Sequence, residues 1–403
     1  QSTKAVAHLL EEAYPDAEIV YAKARAVSEF RHKFDMIKVR EVNDFHHAKD
    51  AYLNIVVGNT YYVKFTKDAA WFVRNNPGRT YNLKKMFENE TVKRGNETAW
   101  IPGDNGTICT VKKWMRKNNI LFTRRAYEVK GGLFDQNILK KGKGQIPIKG
   151  GADERLRSRD KYGAYNKASG AYFMLVESDG KKGERKRTIE FVPVFLAKSL
   201  EESVELRRRY CEEELGLVNP DVRLSKIKIN TLFDVDGFKM HLSGRTGKRL
   251  VFKGANQLVL REKLQLTVKK IGKYCADYKE NKEAVLSEKS EVTQEVLEEL
   301  YDEFLHKLRN SLYGHRLSAQ IERLETGKES FCSMSNEQKC LILMEILHLF
   351  QCTSQLANLQ LIDGPGNAGM LLLNNDVSKL EDIKIINQSI TGFYEQVIDL
   401  KTI

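Results

Sequence analysis

Between Lys38 and Asn54 the chain reads KVREVNDFHHAKDAYLN, a run whose spacing suits a helix. His47, Asp50 and Asn54 fall at i, i+3 and i+7, so a helix sets an imidazole, a carboxylate and an amide on one face. Phe45, Ala48, Tyr52 and Ile55 are then expected to turn inward. A His and an Asp held one turn apart on a rigid element can ligate a divalent cation and orient or deprotonate a water, as part of a phosphodiester-cleaving site. By itself the pair carries little weight, because solvated helix faces acquire a His and an Asp by chance. The surrounding sequence decides between the two.

A chain of 403 residues, 41% of them hydrophobic, exceeds what one core usually covers, and two or three domains are expected. Lys and Arg number 66 against 54 acids, a net charge of +12, which favours a polyanionic partner over an acidic small substrate. The basic residues cluster: Lys112, Lys113, Arg116, Lys117, Arg124 and Arg125, then Lys140, Lys141 and Lys143, then Arg155, Arg157 and Arg159, then Lys181, Lys182, Arg185, Lys186 and Arg187. Glycines and aromatics lie among them, as a phosphate-tracking surface requires. The six cysteines show no Cys-x-x-Cys pairing and no nearby His at zinc spacing, so they read as reduced thiols. No apolar run approaches a membrane span and no signal-peptide pattern opens the chain, so no membrane partner and a cytoplasmic location are expected.

Residues 1–128 read as mixed α/β: an opening helix closed by Tyr14-Pro15-Asp16, a short strand at Ile19 to Tyr21, a helix from Ser28, then the His47 helix. Residues 73–108 are rich in Asn, Gly and charge and read as loops. From about 129 to 275, short alternating stretches such as AYFMLVE, FVPVFLA, TLFDV and RLVFK predict twisted antiparallel sheet. Helical periodicity returns after Leu258, and Ser335 with Gln338 forms a capping-box pattern ahead of CLILMEILHLF. His348 in that apolar helix reads as a satisfied core residue. GPGNAG at 364–369 matches Gly-x-Gly-x-x-Gly but leads into the strand-like MLLLNND, so a glycine-rich loop is expected and not a dinucleotide site.

The run His46, His47, Ala48, Lys49, Asp50, Ala51, Tyr52, Leu53, Asn54 resembles the third RuvC segment of the type II CRISPR effector, the RNA-guided DNA endonuclease of the Cas-nine family. QSTKAVAHLLEE, SEFRHKFDMIKVREVN, GGLFDQNIL at 131–139 and QSITGFYEQVIDL at 388–400 are similar to further landmarks of that family, in the family's order. The resemblance implies an α+β multidomain fold: the C-terminal part of a RuvC (RNase H-like) α/β domain over 1–128, a wedge or topology region over 129–165, and a β-rich domain with a helical insertion over 166–403. The last of these would read the protospacer-adjacent motif (PAM). The chain is expected to be the C-terminal portion of the effector.

The resemblance further implies a site. His47 would act as general base or metal ligand and Asp50 as metal ligand, with Mg2+ as cofactor and Mn2+ as its substitute. The other acidic ligands and the HNH nuclease lie in segments the family places earlier, so this chain alone is expected not to cut DNA. Partners are the guide RNA, double-stranded target DNA and the remainder of the effector. In GGLFDQNIL the family's phosphate lock falls on Asp135, Gln136 and Asn137; Asp135 stands where the family pattern has Lys, which leaves the backbone donors of Gln136 and Asn137 to hold the phosphate. A non-enzymatic, basic RNA-binding or scaffold protein that retains a RuvC-like helix is the main alternative, and a free-standing RuvC-type resolvase the third.

Family members that require two guanines place two arginines shortly before the Gln-Ser-Ile-Thr-Gly run, where bidentate contact with guanine O6 and N7 explains the choice. This chain has no arginine from Ile362 to Gly392. Asn and Gln pair with adenine N6 and N7, so Gln360, Asn374 and Asn375 are the expected readers, with Asn166, Lys167 and Asn256 as neighbouring DNA contacts. The expected motif holds A or T at its discriminating positions. A depletion assay on a randomised flank checks this, and selection for consecutive guanines would refute it.

Overall fold

The computed structural model describes residues 2–20, 22–65, 74–78, 85–130, 138–139, 146–147, 158–165, 169–181, 183–255, 258–281, 292–351 and 355–403. The chain forms two compact units, Gln1–Ile120 with Asn256–Leu300 and Leu121–Ala255 with Tyr301–Ile403. Its sheets are antiparallel, giving an α+β fold.

In the first unit, α1 (Ser2–Ala13) stops ahead of Tyr14-Pro15, because proline disfavours the αR conformation in the residue before it. The strand expected at Ile19 to Tyr21 is not found at the described residues 19 and 20, which have no neighbouring strand to pair with; Tyr21 lies outside the described residues. The next helix, α2 (Ala24–Lys33), begins before Ser28 and buries Val27, Phe30 and Arg31. The long α3 (Phe45–Phe65) buries Phe45, Leu53, Val57, Thr60 and Val63. This stripe is rotated from the expected one: Ala48 is exposed and Ile55 is 69% exposed. Leu53 and Val57, one turn apart, supply the packing face in their place.

The segment expected to be loops carries structure, because Phe87, Val92 and Trp100 find a place in the core. A single helical turn (Met86–Asn89) and the hairpin β1 (Val92–Arg94)/β2 (Glu97–Trp100) bury Phe87, Val92 and Trp100, with α4 (Thr107–Met115) beyond. Phe30, Phe87 and Trp100 meet edge to face, with centroids 4.9, 5.0 and 5.6 Å apart, and the Trp100 indole donates to the Phe87 carbonyl at 3.0 Å. These rings share one core with Leu53 and Val57 of α3.

In the second unit, the short strands β3 (Ile138–Leu139), β4 (Ile146–Pro147) and β5 (Ala164–Tyr165) form a small sheet. A larger three-stranded sheet follows, with β6 (Gly170–Asp179) between β7 (Arg185–Pro193) and β8 (Val218–Ile227). Helices α5 (Val194–Glu202) and α6 (Val204–Arg209) cover one face, where Tyr172, Met174 and Val176 pack with Leu200 and Tyr210. Then β9 (Leu232–Val235), β10 (Phe238–Thr246), β11 (Arg249–Lys253), β12 (Leu371–Asn374), β13 (Ile383–Gln388) and β14 (Glu395–Asp399) build a six-stranded sheet in the order β12-β11-β10-β9-β13-β14. The β9–β10 turn uses Asp236 and Gly237 at φ 51° and 84°, as a two-residue type I′ turn requires. Between β11 and β12 the chain passes through α7 (Glu262–Asn281), which belongs to the first unit, and α8 (Gln294–Arg309), which begins there, before α9 (Ser318–Thr326), α10 (Lys328–Ser333) and α11 (Asn336–Leu349) of the second. The Ser335–Gln338 capping box is formed in both directions, and His348 is satisfied by Glu345 at 3.2 Å and the Leu356 carbonyl at 3.3 Å.

Two buried groups give this second unit a pH dependence. Glu177 of β6 accepts from Arg187 at 2.8 Å, Arg223 at 2.9 Å and Arg185 at 3.2 Å. The Arg223 hydrogen bond leads in holding its carboxyl down from 4.5 to about 2, against the effect of burial. His241 of β10 is 4% exposed, neither ring nitrogen has a partner among the described residues, and burial pushes it down from 6.5 to about 4. Both folded states bind fewer protons than the unfolded chain over these intervals, so stability is complete at neutral pH and lost on acidification. The His241 contribution disappears between pH 6.5 and 4 and the Glu177 contribution between 4.5 and 2, each about 3 kcal/mol. The urea midpoint is expected to fall as the pH drops below 6.5, with the upper part of that fall removed by His241→Leu. A midpoint flat from pH 7 to 4 would contradict this.

Candidate nuclease site and nucleic-acid surface

Asn43 sets the start of α3. Its side-chain oxygen accepts from the Phe45 N–H at 3.1 Å, its amide donates to the Leu258 carbonyl at 2.6 Å, and its own carbonyl receives His46 Nδ1 at 2.8 Å. An Asn in this position offers the first turn an acceptor that the helix itself lacks. His46 is half-buried and burial lowers its pKa, opposed by the hydrogen bond to Asn43. His47 is exposed, and its ring lies 4.1 Å from that of His46. One turn on, Asp50 carries an ion pair on each oxygen: Arg31 of α2 holds Oδ1 and Lys38 holds Oδ2 at 2.5 Å. Burial alone would raise the Asp50 carboxyl, but the hydrogen bonds from Lys38 and Arg31 outweigh it and keep the group ionised.

His47, Asp50 and Asn54 therefore lie on one helix as the spacing predicts, but they are not one cluster. Asn54 turns its amide back to the Asp50 main-chain carbonyl at 2.9 Å. The ligand-bearing atoms of His47 converge with those of Asp44 and His46, all within 4.8 Å of one another. Sequence reading missed Asp44, His46, Arg31 and Lys38. The first two were legible as an Asp-x-His-His spacing; the cations reach Asp50 across 19 and 12 residues, for which a single sequence carries no signal.

A hard divalent cation suits Asp50, an ionised carboxylate on a rigid helix with a side chain 26% exposed. Two cationic side chains already hold its oxygens, so such an ion would exchange with one of them. His47, exposed and without a hydrogen bond through its ring among the described residues, is open to a water.

The remaining expected site residues fare differently. Asp135, Gln136, Asn137, Asn166, Lys167 and Asn256 lie outside the described residues. Gln360 is exposed on a short 3-10 turn, and Asn374 is exposed at the end of β12, where its side-chain oxygen accepts from the Asp376 N–H at 2.9 Å. Asn375 is drawn inward and donates to Glu190 at 3.1 Å. Leu371 and Leu373 are buried at 2% and 6% exposure, packing residues of the sheet. GPGNAG forms a loop in which Ala357 pairs with Ala368, ahead of a strand and not a helix.

The basic runs divide by role. Arg185 and Arg187 neutralise Glu177 and Asp179 and are not a free phosphate track. Lys112, Lys113, Arg116 and Lys117 line a shallow depression of about 520 Å3 with Asp104 and Cys109, and the Lys117 ammonium lies 3.6 Å from the Trp114 ring centroid. Lys49, beside Asp50, reaches Asn118 just beyond α4 at 3.2 Å. A cationic surface thus adjoins the α3 site within the first unit.

Arg31 is buried, so removing its partner leaves an uncompensated charge. Asp50→Ala is expected to destabilise the first unit by about 3 kcal/mol, and the further change Arg31→Met to recover most of it. Thermal melts of the single and double variants check this; no recovery would mean that the pair does not couple.

Residues 1–125 match the family described as the Cas9 RuvC domain, and residues 130–396 match the PAM-interacting domain of CRISPR-associated endonuclease Cas9. The CRISPR-associated endonuclease Cas9 of Streptococcus mutans serotype c is 25% identical over 440 aligned positions, covering 99% of this chain and 31% of that protein. The protein of the same name from Listeria innocua serovar 6a is 28% identical over 288, covering 64% of this chain and 20% of that protein. The chain thus spans a third or less of the length of these relatives. Two adjacent domain matches in the Cas9 order, on a chain whose α3 carries the His-His-Ala-Lys-Asp run, lead to one conclusion: the chain belongs to the family of Cas9 CRISPR-associated endonucleases.

Proposed function

We propose that this chain supplies the third RuvC segment and the PAM-reading part of an RNA-guided DNA endonuclease, and that the whole effector cuts the non-target strand at a site to which this chain contributes His47 and Asp50. The observation that carries the reading is the placing of both side chains on the rigid α3, inside the RuvC match. Residues 1–128 would be the RuvC segment, 129–165 the wedge with its phosphate lock at Asp135 to Asn137, and 166–403 the PAM-interacting domain. Gln360 and Asn374 are the exposed reader candidates, with Asn375 behind them and Asn166, Lys167 and Asn256 as further DNA contacts. Guide RNA and target DNA are the partners and the cytoplasm the place of action; no helix among the described residues is long and apolar enough to cross a membrane.

Mechanistically, Asp50 would hold a divalent cation, Mg2+ or in its place Mn2+, and when bound that ion supplies charge stabilisation at the scissile phosphate. Arg31 and Lys38 keep Asp50 ionised, and the ion would take the place of one of them. His47, exposed one turn earlier, can take a proton from the attacking water. The depression on α4 and Lys49 offer positive charge for a phosphate backbone. A second reading, a non-catalytic guide-RNA- or DNA-binding scaffold, is favoured by one observation: both Asp50 oxygens are already engaged by cations.

The two readings separate in the full-length effector. His47→Ala and Asp50→Asn are expected to lower non-target-strand cleavage at least about a hundredfold, the size of a lost general base, while target-strand nicking and DNA binding persist. Undiminished cleavage of both strands by either variant would favour the scaffold. The chain alone is expected to bind RNA or DNA weakly, with affinity falling steeply as salt rises, and to show no Mg2+-dependent cleavage. Robust nuclease activity of the chain by itself would mean that its metal site is complete.

A further inference from the structure

We infer that Asp44, His46 and His47 form a second cation site, distinct from the one centred on Asp50, selective for a late first-row divalent ion such as Zn2+ or Co2+, and that occupancy of this site antagonises non-target-strand cleavage. The antagonism rests on the reading of His47 given above. The binding does not.

Three observations carry the site. The ligand-bearing atoms of the three residues lie within 4.8 Å of one another at the start of α3. A tetrahedral site with bonds of about 2.0 to 2.2 Å spaces its donors about 3.4 Å apart. Rotation of the exposed His47 and partly exposed Asp44 side chains can close that difference. Next, the tautomer of His46 is fixed: Nδ1 donates to the Asn43 carbonyl at 2.8 Å, as the second nitrogen of a ligating histidine does, and Nε2 keeps its lone pair for an ion. Finally, the Asp44 carboxylate makes no hydrogen bond or ion pair among the described residues, in contrast to Asp50 with its two cations.

The donor set selects the ion. Two imidazoles and one carboxylate suit Zn2+, Co2+, Ni2+ or Cu2+, whereas Mg2+ prefers carboxylates, phosphates and water. Asp50 and the Asp44 cluster therefore sort cations by hardness while sharing His47 as the residue that links them. An ion seated on Asp44 and His46 would draw the His47 lone pair to itself, and the side chain could no longer accept a proton from water.

The test uses full-length effector in saturating Mg2+, titrated with Co2+ and followed by its visible ligand-field bands. Asp44→Asn, which keeps size and backbone contacts, and His46→Ala are each expected to weaken the protein-dependent band roughly tenfold or more, while Asp50→Asn leaves it in place. In cleavage assays at saturating Mg2+, added Zn2+ should slow non-target-strand cleavage by the unmodified effector and have much less effect on Asp44→Asn, whose cleavage without Zn2+ matches that of the parent. A band unchanged in both Asp44→Asn and His46→Ala, or lost in Asp50→Asn, would overturn the site. Equal Zn2+ sensitivity of the parent and Asp44→Asn would overturn the antagonism. Failure of the catalytic reading looks different: His47→Ala would still cut the non-target strand, and the Co2+ band would still depend on Asp44 and His46.

Discussion

The aromatic contact of Phe30 with Phe87 and Trp100 is the constraint on which the candidate site depends. It fixes α2 against the hairpin, and Leu53 and Val57 bring α3 into the same core. Only with the two helices held together does Arg31, nearly buried, meet Asp50. Rings that meet edge to face at about 5 Å add a directional preference to the burial of their area. The carboxylate is consequently presented from a framework with little freedom.

Charge in this chain serves two purposes. The net +12 predicts a polyanionic partner, but part of the positive charge is matched by the chain's own acids. Arg185, Arg187 and Arg223 surround one glutamate between strands, and Arg31 is buried beside Asp50. Arginine suits such positions because its planar fork satisfies several acceptors while it stays charged. The cations lining the depression on α4 are mainly lysines, Lys112, Lys113 and Lys117 with Arg116, and none of the four is in an ion pair among the described residues. A charge run in sequence cannot be assigned to either role until its acidic neighbours in space are known.

Asn43 shows how one polar side chain serves fold and chemistry together. Its hydrogen bonds start the helix, tie it to the segment at Leu258 within the same unit, and orient His46. Two histidines adjacent in sequence thereby acquire different characters, one half-buried and hydrogen-bonded, the other exposed. Neither character is written in the dipeptide.

Local rules settled much of the outline. The His47–Asp50 helix, the stop at Pro15, the Ser335–Gln338 capping box, the Asp-Gly turn and the alternating strands of the second unit all follow from periodicity and from backbone preferences within a few residues. Where the outcome depended on partners far along the chain, local rules failed. Ile55 faces solvent because the core lies on the side of Leu53 and Val57, and residues 85–100 fold because Phe87 and Trp100 find Phe30. Ile19 and Val20, β-branched as strands prefer, form no strand. The sequence by itself determined which side chains share the α3 face and which family the chain resembles, since both rest on spacing along one element. Only the tertiary structure decided that Asp50 is met by Arg31 and Lys38, because those ion pairs are set by distances between elements that a one-dimensional pattern does not contain.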